Sequence, residues 1–266
     1  MKLFHKNLPV SFRLANKENQ VSIGSWITIP HPAIAEIMAK AGFDWLVVDM
    51  EHSPIGISTA EEMIRVVQLC GLPALVRVGE NNANLIKRVM DSGASGVIVP
   101  MVNTSQEARQ AVEAVKYPPQ GRRGVGLARA QGYGTLFEEY CRWTAEESVV
   151  IVQIEHIQAV RNLDAILSVE HIDGCIVGPY DLSASLGVPG QFDHPDMLDA
   201  LNVIKEGIQK KIKPFGFHVV KPDADLAFSK IQEGYSLLAF GVDFLFLGEM
   251  CRENLKKLKG RMRKDL

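Results

Sequence analysis

The chain has 266 residues, 47% of them apolar and 23% charged, with a formal net charge of −2. This balance supports a buried core, argues against intrinsic disorder, and offers no broad basic field for nucleic acid. No apolar run reaches the ~18 residues that span a bilayer, and the first twenty residues lack the continuous apolar stretch of a signal peptide, so a cytoplasmic protein with no membrane or nucleic-acid partner is expected.

Residues 1–20 read as a polar arm or short helix, and 21–266 as one folded unit without an internal linker. From there, short β-branched runs alternate with amphipathic stretches. The runs are Ser22–Ile29, Trp45–Met50, Ala74–Val78, Gly96–Val102, Val149–Glu155, Gly174–Asp181, Pro214–Val219 and Leu237–Asp243. Most are apolar almost throughout, as strands covered on both faces of a parallel sheet must be. Helices are expected at His31–Ala41, Ser58–Cys70, Ala83–Ser92, Ser105–Lys116, Ile157–Val169, Pro195–Lys211, Pro222–Glu233 and Met250–Lys259. Ser58 and Glu61 have the spacing of a capping box, and Ser105 is a further candidate cap. Gly42, Gly93 and Gly234 each stand between a helix and an apolar run, a repeated helix–glycine–strand unit. Eight such units in roughly 250 residues match a (β/α)8 TIM barrel. A doubly wound sheet is disfavoured because the first strand is not followed by a G-x-G-x-x-G turn. Cys70, Cys141, Cys175 and Cys251 are widely spaced and read as free thiols.

A barrel of this kind works at the C-terminal ends of its strands. There the second run ends in Asp49, Met50, Glu51 and His52, and the third contains Arg77. The fifth ends in Gln153, Ile154, Glu155 and His156, the sixth in Tyr180 and Asp181, and the seventh holds His218. Glu155 and Asp181 close adjacent strands. Two carboxylates with water make a hard oxygen site for Mg²⁺ or Mn²⁺; pairing with Arg77 and loop capping explain them equally well. His52 is a candidate general base or a structural histidine. Arg77 suits a carboxylate or a developing oxyanion, or serves as a buried partner of Asp49 or Glu51. Asp91 ends a helix, against the dipole. Lys221 has the chemistry for a Schiff base but reads as a solvated loop lysine. The Gly- and Arg-rich segment 121–126 reads as a mobile loop over the site mouth, with a phosphate cradle as the weaker reading.

At these residues the chain resembles the HpcH/HpaI aldolases, metal-dependent class II pyruvate aldolases. The resemblance is carried by residues 41–54 (AGFDWLVVDMEHSP), 76–78 (VRV), 86–93 (IKRVMDSG), 99–102 (VPMV), 117–126 (YPPQGRRGVG), 152–155 (VQIE), 178–187 (GPYDLSASLG) and 240–243 (FGVD). It implies a pyruvate-type barrel that reversibly cleaves a 4-hydroxy-2-oxo acid to pyruvate and an aldehyde through a metal-stabilised enolate. By the same resemblance Glu155 and Asp181 hold a divalent metal, Mg²⁺ foremost, with Mn²⁺ or Co²⁺ as alternatives. Gln153 and Tyr180 contact substrate, His52 accepts the proton and Arg77 stabilises the transition state. Asp91 matches an aspartate that raises the basicity of the histidine, although Asp49 stands closer in sequence. Homo-oligomers, often hexamers built as trimers of dimers, are implied as well. Tyr180 replaces a commonly small residue and His156 a small polar one, which leaves the aldehyde open. Alternative readings are oxaloacetate decarboxylation, a citrate-synthase-like condensation, or a non-catalytic oxo-acid-binding barrel.

Overall fold

A computed structural model describes residues 21–210 and 213–262; the expected N-terminal arm and Lys211 lie outside them. Eight strands form a closed, all-parallel barrel in chain order. They are β1 (Ser22–Ile27), β2 (Trp45–Asp49), β3 (Ala74–Arg77), β4 (Gly96–Val99), β5 (Val149–Ile154), β6 (Gly174–Val177), β7 (Phe215–Val219) and β8 (Leu237–Val242). All eight predicted runs contain one of them. Between the strands lie α1 (Pro32–Ala39), α2 (Ile57–Leu69), α3 (Ala83–Asp91), α4 (Ser105–Val115), α5 (Phe137–Glu146), α6 (Ile157–Arg161), α7 (Leu163–Leu167), α8 (Pro179–Ser185), α9 (Pro195–Gln209) and α10 (Ala224–Gln232). The chain continues into α11 (Asp243–Met262). No helix among the described residues is long and apolar enough to cross a membrane.

The core has two layers. Inside the barrel Trp26, Val47, Leu75, Ile98, Ile151 and Ile176 pack together. A larger layer lies between strands and helices, where Val48, Met63, Val76, Val89, Val152 and Ile204 are fully buried. Each such side chain contributes roughly 1.5–3 kcal/mol of transfer free energy, so alternate residues of every strand are committed to one layer or the other. The expected glycines end their helices with left-handed backbone, at φ +97° for Gly42, +95° for Gly93 and +103° for Gly234.

Several boundaries differ from expectation. α2 is capped by Gly56 without a side-chain bond, so Ser58 and Glu61 form no capping box. The capping box belongs to Thr104 and Glu107 at α4, one residue before Ser105. The sixth run stops at Val177, and Gly178–Pro179 turns it into α8. Proline has no N–H for the ladder and a φ suited to the first helical turn, so strand gives way to helix there. Tyr180 and Asp181 therefore occupy a helix start, not a strand end. The long helix expected over 157–169 breaks at Asn162, whose side-chain amide donates to the Asn103 carbonyl at 2.8 Å.

Candidate active site

Arg77 closes β3, paired in register with Asp49 at the end of β2. Its Nε donates to Asp49 Oδ1 at 2.8 Å and an Nη to Oδ2 at 2.6 Å, a planar fork on a carboxylate. The other Nη lies 3.0 Å from Glu51 Oε2, and the guanidinium sits 4.4 Å over the Trp26 ring. Two of its five N–H groups are thus hydrogen-bonded to Asp49, while Glu51 is held as an ion pair whose buried Oε2 accepts no hydrogen bond among the described residues. Burial alone raises the Asp49 carboxyl. Arg77 and the backbone N–H groups of Glu51 and His52 outweigh it and hold Asp49 below the ordinary carboxylate range. Asp49 therefore shapes the backbone under His52 rather than its ring. The carboxylate beside the imidazole is Glu51, with Oε2 3.8 Å from His52 Nε2. His52 itself is mostly exposed at the rim.

Glu155 follows β5 and is 2% exposed. Its Oε1 accepts from the Met101 N–H at 2.7 Å, and its Oε2 accepts from the Gln153 amide. Burial pushes its carboxyl up to about 7, against the Met101 N–H, and the charges of Glu51 and Asp181 push the same way. Glu51 is likewise raised to about 7 by burial, opposed by Arg77 and reinforced by Asp49 and Asp181. Four acids therefore share one rim with a single guanidinium. That surplus of negative charge is costly in a partly desolvated site unless a cation joins it. Gly178 makes the room: a Cβ there would stand 2.8 Å from Glu155 Oε2 and 3.1 Å from Gln153 Nε2. Among the described residues no three His, Cys, Asp or Glu side chains gather as a ready-made ligand set. An ion held by Glu155 and Asp181 would complete its shell with water and substrate oxygens, as Mg²⁺ commonly does.

A cavity of about 370 Å³ joins these groups, with Asp49, His52, Arg77, Gln153, Tyr180 and Asp181 in its lining. Trp26 Nε1 and Gln153 Oε1, both buried, have no hydrogen-bond partner among the described residues, which leaves a donor and an acceptor for a bound molecule. Trp26 and His218 also line the cavity, their rings 5.0 Å apart. Trp26 was not singled out from sequence, and His218 was placed on the rim without a role. The signal was present in strand alternation, since Trp26 on β1 and His218 on β7 lie where a side chain turns into the barrel.

Asp91 is elsewhere. It ends α3, next to the start of β4, whereas the cavity lies at the strands' opposite ends. Its Oδ1 accepts from Arg123 at 2.5 Å and from the Gln131 amide at 3.0 Å. Within one chain it is not brought to His52, because a helix returning to the next strand ends at the far side of the barrel. The Gly- and Arg-rich loop is not a lid either: Arg123 is buried against Asp91 and the Tyr140 hydroxyl. Lys221 lies outside the Arg77 cavity and lines a neighbouring one.

Fold and rim together define a (β/α)8 barrel with acids, an arginine and a histidine gathered at the strand C-termini, where such barrels carry their active sites. The chain belongs to the HpcH/HpaI aldolase/citrate lyase family, whose model matches residues 22–247. A 2-keto-3-deoxy-L-rhamnonate aldolase of Escherichia coli K12 is 37% identical over 250 residues, covering 93% of this chain and 92% of the relative. An HpcH/HpaI aldolase/citrate lyase family protein from Burkholderia cenocepacia J2315 superposes with a TM-score of 0.87 at 29% identity, over 92% of this chain and 97% of that one. An HpcH/HpaI aldolase from Desulfitobacterium hafniense DCB-2 does so at 0.83 and 28%, over 92% and 95%.

Proposed function

We propose that this protein is a divalent-metal-dependent aldolase that cleaves a 4-hydroxy-2-oxo acid reversibly to pyruvate and an aldehyde. The observation that carries the reading is one cavity lined by Arg77, Gln153 and Asp181, with Glu155 bonded to the Gln153 amide at its edge. A cation held by Glu155 and Asp181, Mg²⁺ by its oxygen preference, would supply Lewis-acid polarisation of the 2-oxo group. Gln153, whose amide nitrogen is committed to Glu155, keeps its oxygen free to orient the bound acid. As the C3–C4 bond breaks, its electron pair moves into the C2–C3 enolate and negative charge grows on the C2 oxygen. The N–H groups of Arg77 that are not bonded to Asp49 stabilise that charge, the guanidinium being held in place by Asp49 and by its ion pair with Glu51. His52 accepts the C4 hydroxyl proton, with Glu51 orienting its ring; within its own chain Asp91 holds Arg123, and raising the basicity of His52 would require it to act across a subunit boundary of the oligomer. Tyr180, at the start of α8, contacts the substrate beside Asp181.

The 37% identical relatives act, by name, on a 3-deoxy-2-keto sugar acid, which supports a substrate of this chemical class. An assay with pyruvate, Mg²⁺ and a panel of aldehydes is expected to yield 4-hydroxy-2-oxo acids, with borohydride leaving the protein unmodified. A trapped pyruvate adduct on a lysine contradicts the reading, and so does conversion of oxaloacetate alone. Homo-oligomerisation, as a hexamer of three dimers, is part of the proposal. Along the 20 residues of α11 only Asp243 is buried, while Phe244, Leu247, Met250, Leu255 and Leu258 are exposed, an apolar surface of the kind that seeks a partner. The cysteines are free thiols, which suits the cytoplasmic setting proposed with it.

A further inference from the structure

Along β7 every residue is buried except His218, whose side chain forms part of the wall of the Arg77 cavity. Its Nε2 has no hydrogen-bond partner among the described residues. The imidazole is uncharged: desolvation and then the Arg77 charge push it down to about 3, against a backbone hydrogen bond to Gly241 and the Asp49 charge. Because Nε2 makes no bond, the nitrogen that meets Gly241 is Nδ1. The one proton of the neutral ring therefore sits on Nδ1, and Nε2 offers a lone pair. Trp26, whose ring is 5.0 Å from that of His218, brings the indole Nε1, a donor that is likewise buried and unpartnered. The same cavity wall thus holds a neutral acceptor and a neutral donor, apart from the charged groups around Arg77.

A neutral acceptor discriminates sharply among the groups that a 4-hydroxy-2-oxo acid carries. Carboxylate and keto oxygens only accept, so neither can satisfy Nε2. A methyl or methylene group packed there leaves the nitrogen desolvated and unpaired, which is costly. A hydroxyl fits, because its O–H donates to Nε2 while its oxygen remains an acceptor for a donor such as Trp26 Nε1. The C4 hydroxyl is already the one that His52 deprotonates. We propose that His218 is a specificity-determining residue that selects substrates bearing a further hydroxyl, by accepting its hydrogen bond at Nε2. This inference rests on the aldolase reading above and adds the hydroxylated class of reactant to it. The relatives named for a 3-deoxy-2-keto sugar acid act on a substrate of the same hydroxyl-rich chemistry. Such a hydroxyl arrives either on C3 of the 2-oxo acid or on C2 of the aldehyde.

Two isosteric pairs separate these sources, each assayed with the Mg²⁺-loaded wild-type enzyme. Hydroxypyruvate is compared with 2-oxobutanoate, both added to acetaldehyde, and glycolaldehyde with propanal, both added to pyruvate. The expected result is a kcat/KM about tenfold or more higher for the hydroxylated member of one pair, and the pair that shows it identifies the half that His218 reads. His218→Leu is expected to bring that ratio to about one, since it removes the acceptor. His218→Gln, which restores an acceptor at similar reach, is expected to recover most of the preference. A ratio measured within one preparation does not change with the fraction of folded protein, so a merely structural role for the imidazole would leave it unmoved. Wild-type ratios near one in both pairs overturn the inference while leaving the aldolase reading in place. A preference that survives His218→Leu does the same. Absence of carbon–carbon bond formation in every combination overturns both.

Discussion

Glu155 carries the sharpest consequence of any single side chain. Its carboxyl is raised to about 7 by burial and by the neighbouring charges of Glu51 and Asp181, and a carboxyl must lose its proton to ligate a cation. Affinity for Mn²⁺ is therefore expected to rise as pH climbs toward about 7, by up to about tenfold per unit, and to level off above it. Calorimetric titration between pH 5.5 and 8.5 checks this, and an affinity independent of pH would speak against Glu155 as ligand. The sign for folding is opposite. The native carboxyl holds its proton to higher pH than an unfolded one, so its contribution to the stability of the metal-free protein falls between about pH 4.5 and 7. At this scale the sequence was informative wherever a strand end could be recognised, because barrel geometry then dictates which rim a residue joins. That route reached His52, Arg77, Gln153 and Glu155. It did not rank Glu51 above Asp49 as the neighbour of the imidazole. That preference arises from Arg77, which takes both Asp49 oxygens and leaves Glu51 beside the ring, an outcome of side-chain packing with no trace in spacing.

Elements set the room in which those residues meet. The turn from β6 into α8 brings Gly178 against Glu155, where a methyl group would crowd the carboxylate oxygen at 2.8 Å. Its φ of −97° is open to any residue, so the constraint is space and not backbone strain. Gly178→Ala is expected to weaken Mn²⁺ binding at least tenfold while shifting the urea midpoint little, as judged by titration and denaturation on the same preparation. Unchanged affinity would show that Glu155 is free to move aside. Strands were legible because burial on both faces imposes an unbroken apolar run. Helix limits were less so. α5 has Leu136 at its N-terminus with no side-chain cap, and hence no start signal. α11 begins at Asp243, not at Met250, because the Asp243 carboxylate accepts from Thr28 and Ile29 on the β1 side and from the Phe244 N–H.

Over the whole molecule, closure of β8 onto β1 fixes where each strand end points, and the same Asp243 bridge joins the first strand's exit to the last helix. A ring of eight parallel strands was readable from the repeated helix–glycine–strand unit, since every repeat obeys the same steric rule. What covers α11 was not, because an amphipathic surface helix carries the same residues whether its partner is its own barrel or another chain. Light scattering on the purified protein is expected to give a mass several times the 29.4 kDa chain. A monomer at micromolar concentration would remove the oligomer from the proposal without touching the fold.

The chemistry assigned to the rim is tested most directly without any aldehyde. In D2O, pyruvate held at Glu155, Asp181 and Arg77 should exchange its C3 protons through the enolate. Proton NMR is expected to show exchange with Mg²⁺ or Mn²⁺ present, none after EDTA, and none in Glu155→Gln. Exchange that continues undiminished in EDTA would contradict the two-carboxylate cation site on which the mechanism stands.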